Sequence, residues 1–185
     1  MISLGYMAKR ISSGLEWLKN DRVTEILSVA SCISRDFADW IPYWKHNGYW
    51  LFDSPEIIAS LIPEHDIPRG GLRWFYYEGY EFAFDENRKT WEPYHPEPSF
   101  PLDTSAPPKS ILRGFDVATY SQGNCAECSP LSCNRLVEEL AVNRHCLIDT
   151  FDAARKAIDE GRFSNSEPGP FRIVAVYEIP APGIP

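Results

Sequence analysis

At 185 residues, with 44% hydrophobic and 24% charged residues, the chain is long enough for one well-buried core and too ordinary in composition for wholesale disorder. No stretch approaches the ~20 apolar residues of a membrane-spanning helix, and the basic pair Lys9-Arg10 follows the apolar N-terminal residues, the reverse of a secretory signal. The formal charge is −8, with acidic residues in excess in 1–62, 63–110 and 111–185 alike, so no basic stripe exists for a phosphate backbone and direct nucleic-acid binding is not expected.

Residues 12–36 read as helical, because Leu15, Leu18, Val23, Ile26, Leu27, Ala30 and Ile33 recur at helical spacings, with Asn20-Asp21 as a break point. An aromatic-rich connection follows through Trp40, Tyr43 and Trp44, and 48–52 fits a first strand. Ser54 and Pro55 suit the N-cap and first position of a short helix that ends near Ile62-Pro63. Segments 72–77 and 80–84, separated by Glu78-Gly79, make either a hairpin or one bulged strand. Residues 85–89 are turn material, and Thr90-Trp91 begins an edge strand. Prolines 93, 96, 98, 101, 107 and 108 exclude a helix or central strand over 93–108 and predict an extended surface segment.

Residues 111–120 read as a strand leading into a cysteine-rich loop, after which Ser132 can cap a helix through Leu136, Val137 and Leu140. His145-Cys146-Leu147-Ile148 has the look of a short buried strand. Thr150 caps an amphipathic helix over 151–160, with Ala154, Ala157 and Ile158 inward and Gly161 at its end. Residues 167–170 form a turn, and 171–179 alternate into a final strand. No internal repeat is visible. The expected fold is α+β: one domain over 1–185, a mostly antiparallel sheet with helices packed on one face, and the proline-rich segment on the surface.

The densest chemistry lies in 122–149. Cys125, Cys128, Cys133 and either His145 or Cys146 are the candidate metal ligands, since Cys-x2-Cys gives two thiolates a workable bite on zinc. Gln122-Gly123-Asn124-Cys125-Ala126-Glu127-Cys128 resembles the nucleophile segment of papain-like cysteine proteases. The resemblance covers seven residues and implies an oxyanion-hole role for Gln122 and a nucleophilic role for Cys128. Ser129 stands where that family carries an aromatic residue, and His145 with Asp149 is the nearby pair that could activate Cys128. The plainer reading makes these cysteines small apolar or turn residues in a reducing cytosol, and five cysteines, an odd number, fit that compartment.

Trp40, Tyr43, Trp44, Trp91, Glu92, Tyr94 and Glu97 combine aromatic rings with carboxylates, the composition of a protein-binding surface. The leading expectation is therefore a non-catalytic, cytoplasmic binding protein, of bacterial immunity or antitoxin type, that inhibits a basic protein partner. No cofactor, nucleic acid or membrane is expected to take part. The alternatives are a cysteine-dependent or metal-containing enzyme centred on 122–149, and a carbohydrate- or small-ligand-binding module built on the exposed aromatics.

Overall fold

Six strands form one antiparallel sheet in the computed structural model, which describes residues 1–11, 16–30, 35–37, 47–94, 106–121 and 124–182. They are β1 (Ile2–Arg10), β2 (Arg35–Asp36), β3 (Leu72–Asp85), β4 (Thr90–Pro93), β5 (Ile111–Thr119) and β6 (Phe171–Ile179). Their order is β2-β1-β3-β6-β5, with β4 paired to the far end of β3. Three helices complete the α+β fold: α1 (Pro55–Glu64), α2 (Pro130–Cys133) and α3 (Phe151–Asp159). Among the described residues no helix is long and apolar enough to cross a membrane.

The capping signals of α1 and α3 work as read. Ser54 Oγ accepts from Ile57 N at 3.4 Å and Thr150 Oγ1 from Ala153 N at 3.2 Å, each satisfying a first-turn amide. Ile58, Ala59 and Ile62 of α1 are buried, as are Ala154, Ala157 and Ile158 of α3. The 72–85 segment is one bulged strand, its pairing with β6 interrupted between Gly79 and Ala83. β6 does not alternate. Every residue from Phe171 to Val176 is buried, because the strand lies between β3 and β5 and both its faces are covered.

Several expectations fail, each to a tertiary contact. Residues 16–30 contain turns and irregular chain rather than helix, although Leu18, Val23, Ile26, Leu27, Val29 and Ala30 are buried. Their backbone bonds elsewhere: Thr24 N and Leu27 N donate to the carbonyls of Arg144 and His145, at 2.9 and 3.0 Å. The fully buried Lys9 ammonium holds the carbonyls of Ser28, Val29 and Ala30 at 2.7, 3.1 and 3.0 Å. Asp116, also fully buried, accepts from the Ser28 and Ser129 hydroxyls at 2.6 Å each and from Val29 N at 3.1 Å. Two buried charges thus hold the irregular segment in place, where a helix would have carried those carbonyls internally. Arg35–Asp36, the end of that expected helix, form β2, and residues 12–15 and 31–34, with Cys32, lie outside the described residues.

The first strand is β1, not 48–52, which is a loop that touches the sheet through one bridge, Phe52 to Tyr6. The cap position before α2 is Ser129 rather than Ser132. That helix stops after one turn because Arg135 turns left-handed at φ 60°, leaving a single 3₁₀ turn at Leu136–Glu138. His145–Ile148 is likewise a loop with one bridge, Ile148 to Phe115.

Those two loops expose an internal repeat that the sequence reading passed over. In 47–52, Asn47 Nδ2 donates to Leu4 O at 2.7 Å, while its Oδ1 accepts from Tyr49 N and Leu51 N at 2.9 and 3.2 Å. In 143–148, Asn143 Nδ2 donates to Arg113 O at 2.8 Å, and its Oδ1 accepts from His145 N and Leu147 N at 2.9 and 3.3 Å. Trp50 and Cys146 occupy the same left-handed place, both at φ 61°. Each loop runs straight into the N-cap of a helix, α1 or α3. Each asparagine also sits against a bulge glycine. Cβ atoms at Gly5 (φ +130°) and Gly114 (φ +142°) would lie 2.8 and 2.9 Å from the Nδ2 atoms of Asn47 and Asn143.

The chain is therefore built from two β-loop-helix-β units: β1, 47–52, α1 and β3, then β5, 143–148, α3 and β6. Their inner strands pair about an approximate two-fold axis. Gly5 lies opposite Tyr77 and Gly114 opposite Val176, and Tyr77 and Val176 pair with each other.

Candidate functional site

The four described cysteines do not converge on one point. Cys128 continues the β5 edge: its carbonyl accepts from Thr119 N at 2.9 Å and its amide donates to Thr119 Oγ1 at 3.3 Å. Cys125 lies by Tyr94 and Tyr120, whereas Cys133, closing α2, lies by Cys146. Burial pushes the Cys146 thiol well above its ordinary range, and the charges of Asp116 and Cys133 add to the shift. Among the described residues no three His, Cys, Asp or Glu side chains are grouped to hold a metal ion. Gln122 lies outside the described residues.

His145 and Asp149 are committed to other partners. His145 Nδ1 lies 2.6 Å from Glu25 Oε1, and Asp149 Oδ1 accepts from Asn143 Nδ2 at 3.1 Å. Glu25 also bonds Arg73, and Arg73 grips Glu178 with two bonds of 2.8 Å, from Nε and Nη2. Arg113 closes the chain on Glu178 with Nε at 2.8 Å and Nη2 at 2.6 Å. Burial raises the Glu178 carboxyl, but hydrogen bonds and charge from Arg73 and Arg113 outweigh it and hold the group below its ordinary range. The same balance, with Arg73 and His145, lowers Glu25. These groups hold the 16–30 segment on the sheet. The structure does not bring His145 and Asp149 together on a cysteine.

Of the aromatic candidates, Trp40, Tyr43 and Trp44, with Glu97, lie outside the described residues. Trp91 is half-buried, edge-on to Tyr80 and Phe84 at 5.5 and 5.4 Å between centroids, and its Nε1 donates to Asp159 Oδ1 at 2.7 Å. Glu92 accepts from Arg88 at 2.7 Å on the surface. Tyr94 packs edge-on against Tyr120 and over Arg172.

Beyond Asp159 a cleft of about 390 Å³ opens at the C-terminal end of α3. Ile158, Phe163 and Phe171 line it, and Glu86, Asp159 and Glu160 present carboxylates against the single ammonium of Lys89. The carbonyls of Lys156, Ala157 and Ile158 in the last turn accept from Glu160 N, Arg162 N and Gly161 N at 2.9, 3.0 and 2.9 Å, so the carboxylates carry the negative charge of the cleft. Asp159 and Glu160 are each about half exposed, and their contacts with Arg155 and Lys156 are long, 3.8 and 3.7 Å. Glu86 is braced by Gly169 N at 2.8 Å. An apolar floor under an acidic rim suits a long basic side chain, its stem on the rings and its charge among the carboxylates. Sequence reasoning singled out Trp91 but not Glu86, Asp159 or Phe163, which come from two segments far apart in the chain. Comparison of the chain with family models, with curated proteins and with solved structures finds no match.

Proposed function

We propose that the chain is a non-catalytic binding protein that takes a basic side chain of a protein partner into the acidic cleft beside Trp91. The observation that carries this reading is the cleft itself: Glu86, Asp159 and Glu160 set over Ile158, Phe163 and Phe171 at a helix C-terminus. The net charge of −8 supports it, because an acidic surface steers a basic protein into encounter over distances near a Debye length. An intracellular inhibitor of immunity or antitoxin type is the role this chemistry suits.

A lysine-rich peptide tests the reading. Trp91 donates to Asp159, so a cation entering the cleft changes its surroundings, and the fluorescence difference between wild type and Trp91→Phe should titrate with peptide. Glu160→Lys should weaken that titration, whereas reversal of the distant Glu56 should not. Equal binding by both variants would remove the cleft from the account.

A further inference from the structure

Arg172 is fully buried and only partly bonded. Its Nε donates to Tyr80 O at 2.7 Å, while Nη1 and Nη2 have no hydrogen-bond partner among the described residues. Tyr94, Tyr49 and Tyr120 close around the guanidinium, their ring centroids 4.9, 5.1 and 5.8 Å from Cζ. Ring faces attract the charge but accept none of its N–H bonds in the plane, where a guanidinium places its donors. Among the described residues no carboxylate lies within 4.0 Å of Arg172. Glu127 and Asp116, which act on the Tyr94 and Tyr120 hydroxyls, bond Ser121 and the Ser28–Ser129 pair instead.

The repeat shows what is lacking. Arg73 lies opposite Lys9 on β1, and Arg172 lies opposite Ala118 at the equivalent place on β5. The relation that carries Arg73 onto Arg172 carries Glu178 onto Gly79. Glu178 lies opposite Ile111 and Gly79 opposite Ile2, and the pairs Phe75–Glu178 and Gly79–Val174 exchange. A Cβ at Gly79 would lie 2.8 Å from Arg172 Cζ and 2.9 Å from both Nη2 and Leu4 Cδ2. Leu4 is the counterpart of Arg113, since each precedes a bulge glycine. At the place equivalent to Glu178, Gly79 thus lets the Arg172 guanidinium lie directly against the backbone and supplies no carboxylate of the kind that grips Arg73 twice at 2.8 Å.

We propose that Arg172 anchors a binding site for a small carboxylate, which presents two oxygens end-on to Nη1 and Nη2, whereas Glu178 meets Arg73 side-on at Nε and Nη2. A planar monoanion matches the fork in shape and its single charge, whereas a phosphate dianion would bring a second charge that no other cation among the described residues of the site answers. Burial pushes the Tyr94 hydroxyl up to about 12 against the opposing charge of Arg172, and Tyr120 higher still, so both stay neutral and neither supplies the anion. Tyr49 and Tyr120 are buried, but Tyr94 is only partly so and follows the edge strand β4.

The full-length protein is titrated with acetate and with benzoate, against phosphate and chloride at matched ionic strength. Melting temperature and the side-chain NMR signals of Arg172, assigned through bonds in the wild type, are followed. The expected result is a saturable rise in melting temperature with either carboxylate, with the Arg172 signals shifting along the same isotherm. Arg172→Lys, which keeps the charge but loses the fork, should weaken binding by about 10-fold or more. If Arg172→Lys does not fold, the wild-type Arg172 signals decide. Carboxylate titration that leaves them unmoved, an equal response to phosphate or chloride, or unaltered affinity in a folded Arg172→Lys would overturn the proposal.

Discussion

Asn47→Ala offers the sharpest test of how the two loops are held. The side chain is 2% exposed and, among the described residues, bonds Leu4 O, Tyr49 N and Leu51 N. Alanine leaves all three backbone groups in a buried setting that water reaches poorly, at about 1 kcal/mol each and about 3 kcal/mol together. For a chain of this size 1 kcal/mol moves the melting temperature by about 2–4 °C, so the expected loss is about 6–12 °C. Asn143→Ala is the internal control. It removes equivalent bonds, but Asn143 is only half-buried, and the freed groups can turn to water. Its cost should be about half as large. The measurement is thermal and denaturant unfolding of both variants beside wild type. A loss below about 2 °C for Asn47→Ala, or a larger loss for Asn143→Ala, would refute the reasoning that burial, not bond count, sets the cost.

Acid sensitivity should centre on Glu25 and Glu178. Both carboxyls are lowered in the folded state, so they add stability above the ordinary 4.5 and lose it as pH falls through their lower folded values. Glu178→Gln should destabilise at neutral pH and flatten the dependence of stability on pH below 4.5, followed by denaturant unfolding at stepped pH. Gly5→Ala should cost at least ~2 kcal/mol in the same assay, because the new methyl meets Phe52 O at 2.7 Å at a backbone angle that disfavours a side chain. Under native alkylation by iodoacetamide Cys146 should react last of the four described cysteines, since it is 1% exposed and its thiol is pushed up. Early labelling of Cys146 would contradict the placement of its loop. Glu160→Lys should weaken lysine-rich peptide binding by up to about 5-fold, the range of an exposed ion pair, as read from the Trp91 titration.

What the sequence made legible was local. Ser54-Pro55 and Thr150 mark helix starts through bonds made within three residues, and the aromatic density of 72–84 suffices for a strand. The 16–30 segment misled because its apolar spacing is helical while its backbone partners, Arg144, His145, Lys9 and Asp116, lie far along the chain or on another strand. The best missed signal was a charge inside an apolar strand. Lys9, Asp116 and Arg172 interrupt β1, β5 and β6, and each is fully buried. A buried charge demands partners, so each such interruption points to a constructed site or anchor.

The repeat was legible too, in Asn47-Gly48-Tyr49-Trp50-Leu51-Phe52-Asp53-Ser54 beside Asn143-Arg144-His145-Cys146-Leu147-Ile148-Asp149-Thr150. The matching positions are those the fold requires: the asparagine that ties loop to strand, the leucine and its apolar successor, and the helix cap. Bulge glycines at Gly5 and Gly114 complete the pattern. The unmatched positions carry the charges. Lys9 answers Ala118, Asp116 answers Met7, Arg113 answers Leu4 and Glu178 answers Gly79. Two copies of one scaffold agree where backbone geometry must be satisfied, and they differ where a charge is bonded in one half and left open in the other. That difference leaves the Arg73 guanidinium closed by Glu178 and the Arg172 guanidinium, on the same scaffold, with two nitrogens unpaired among the described residues.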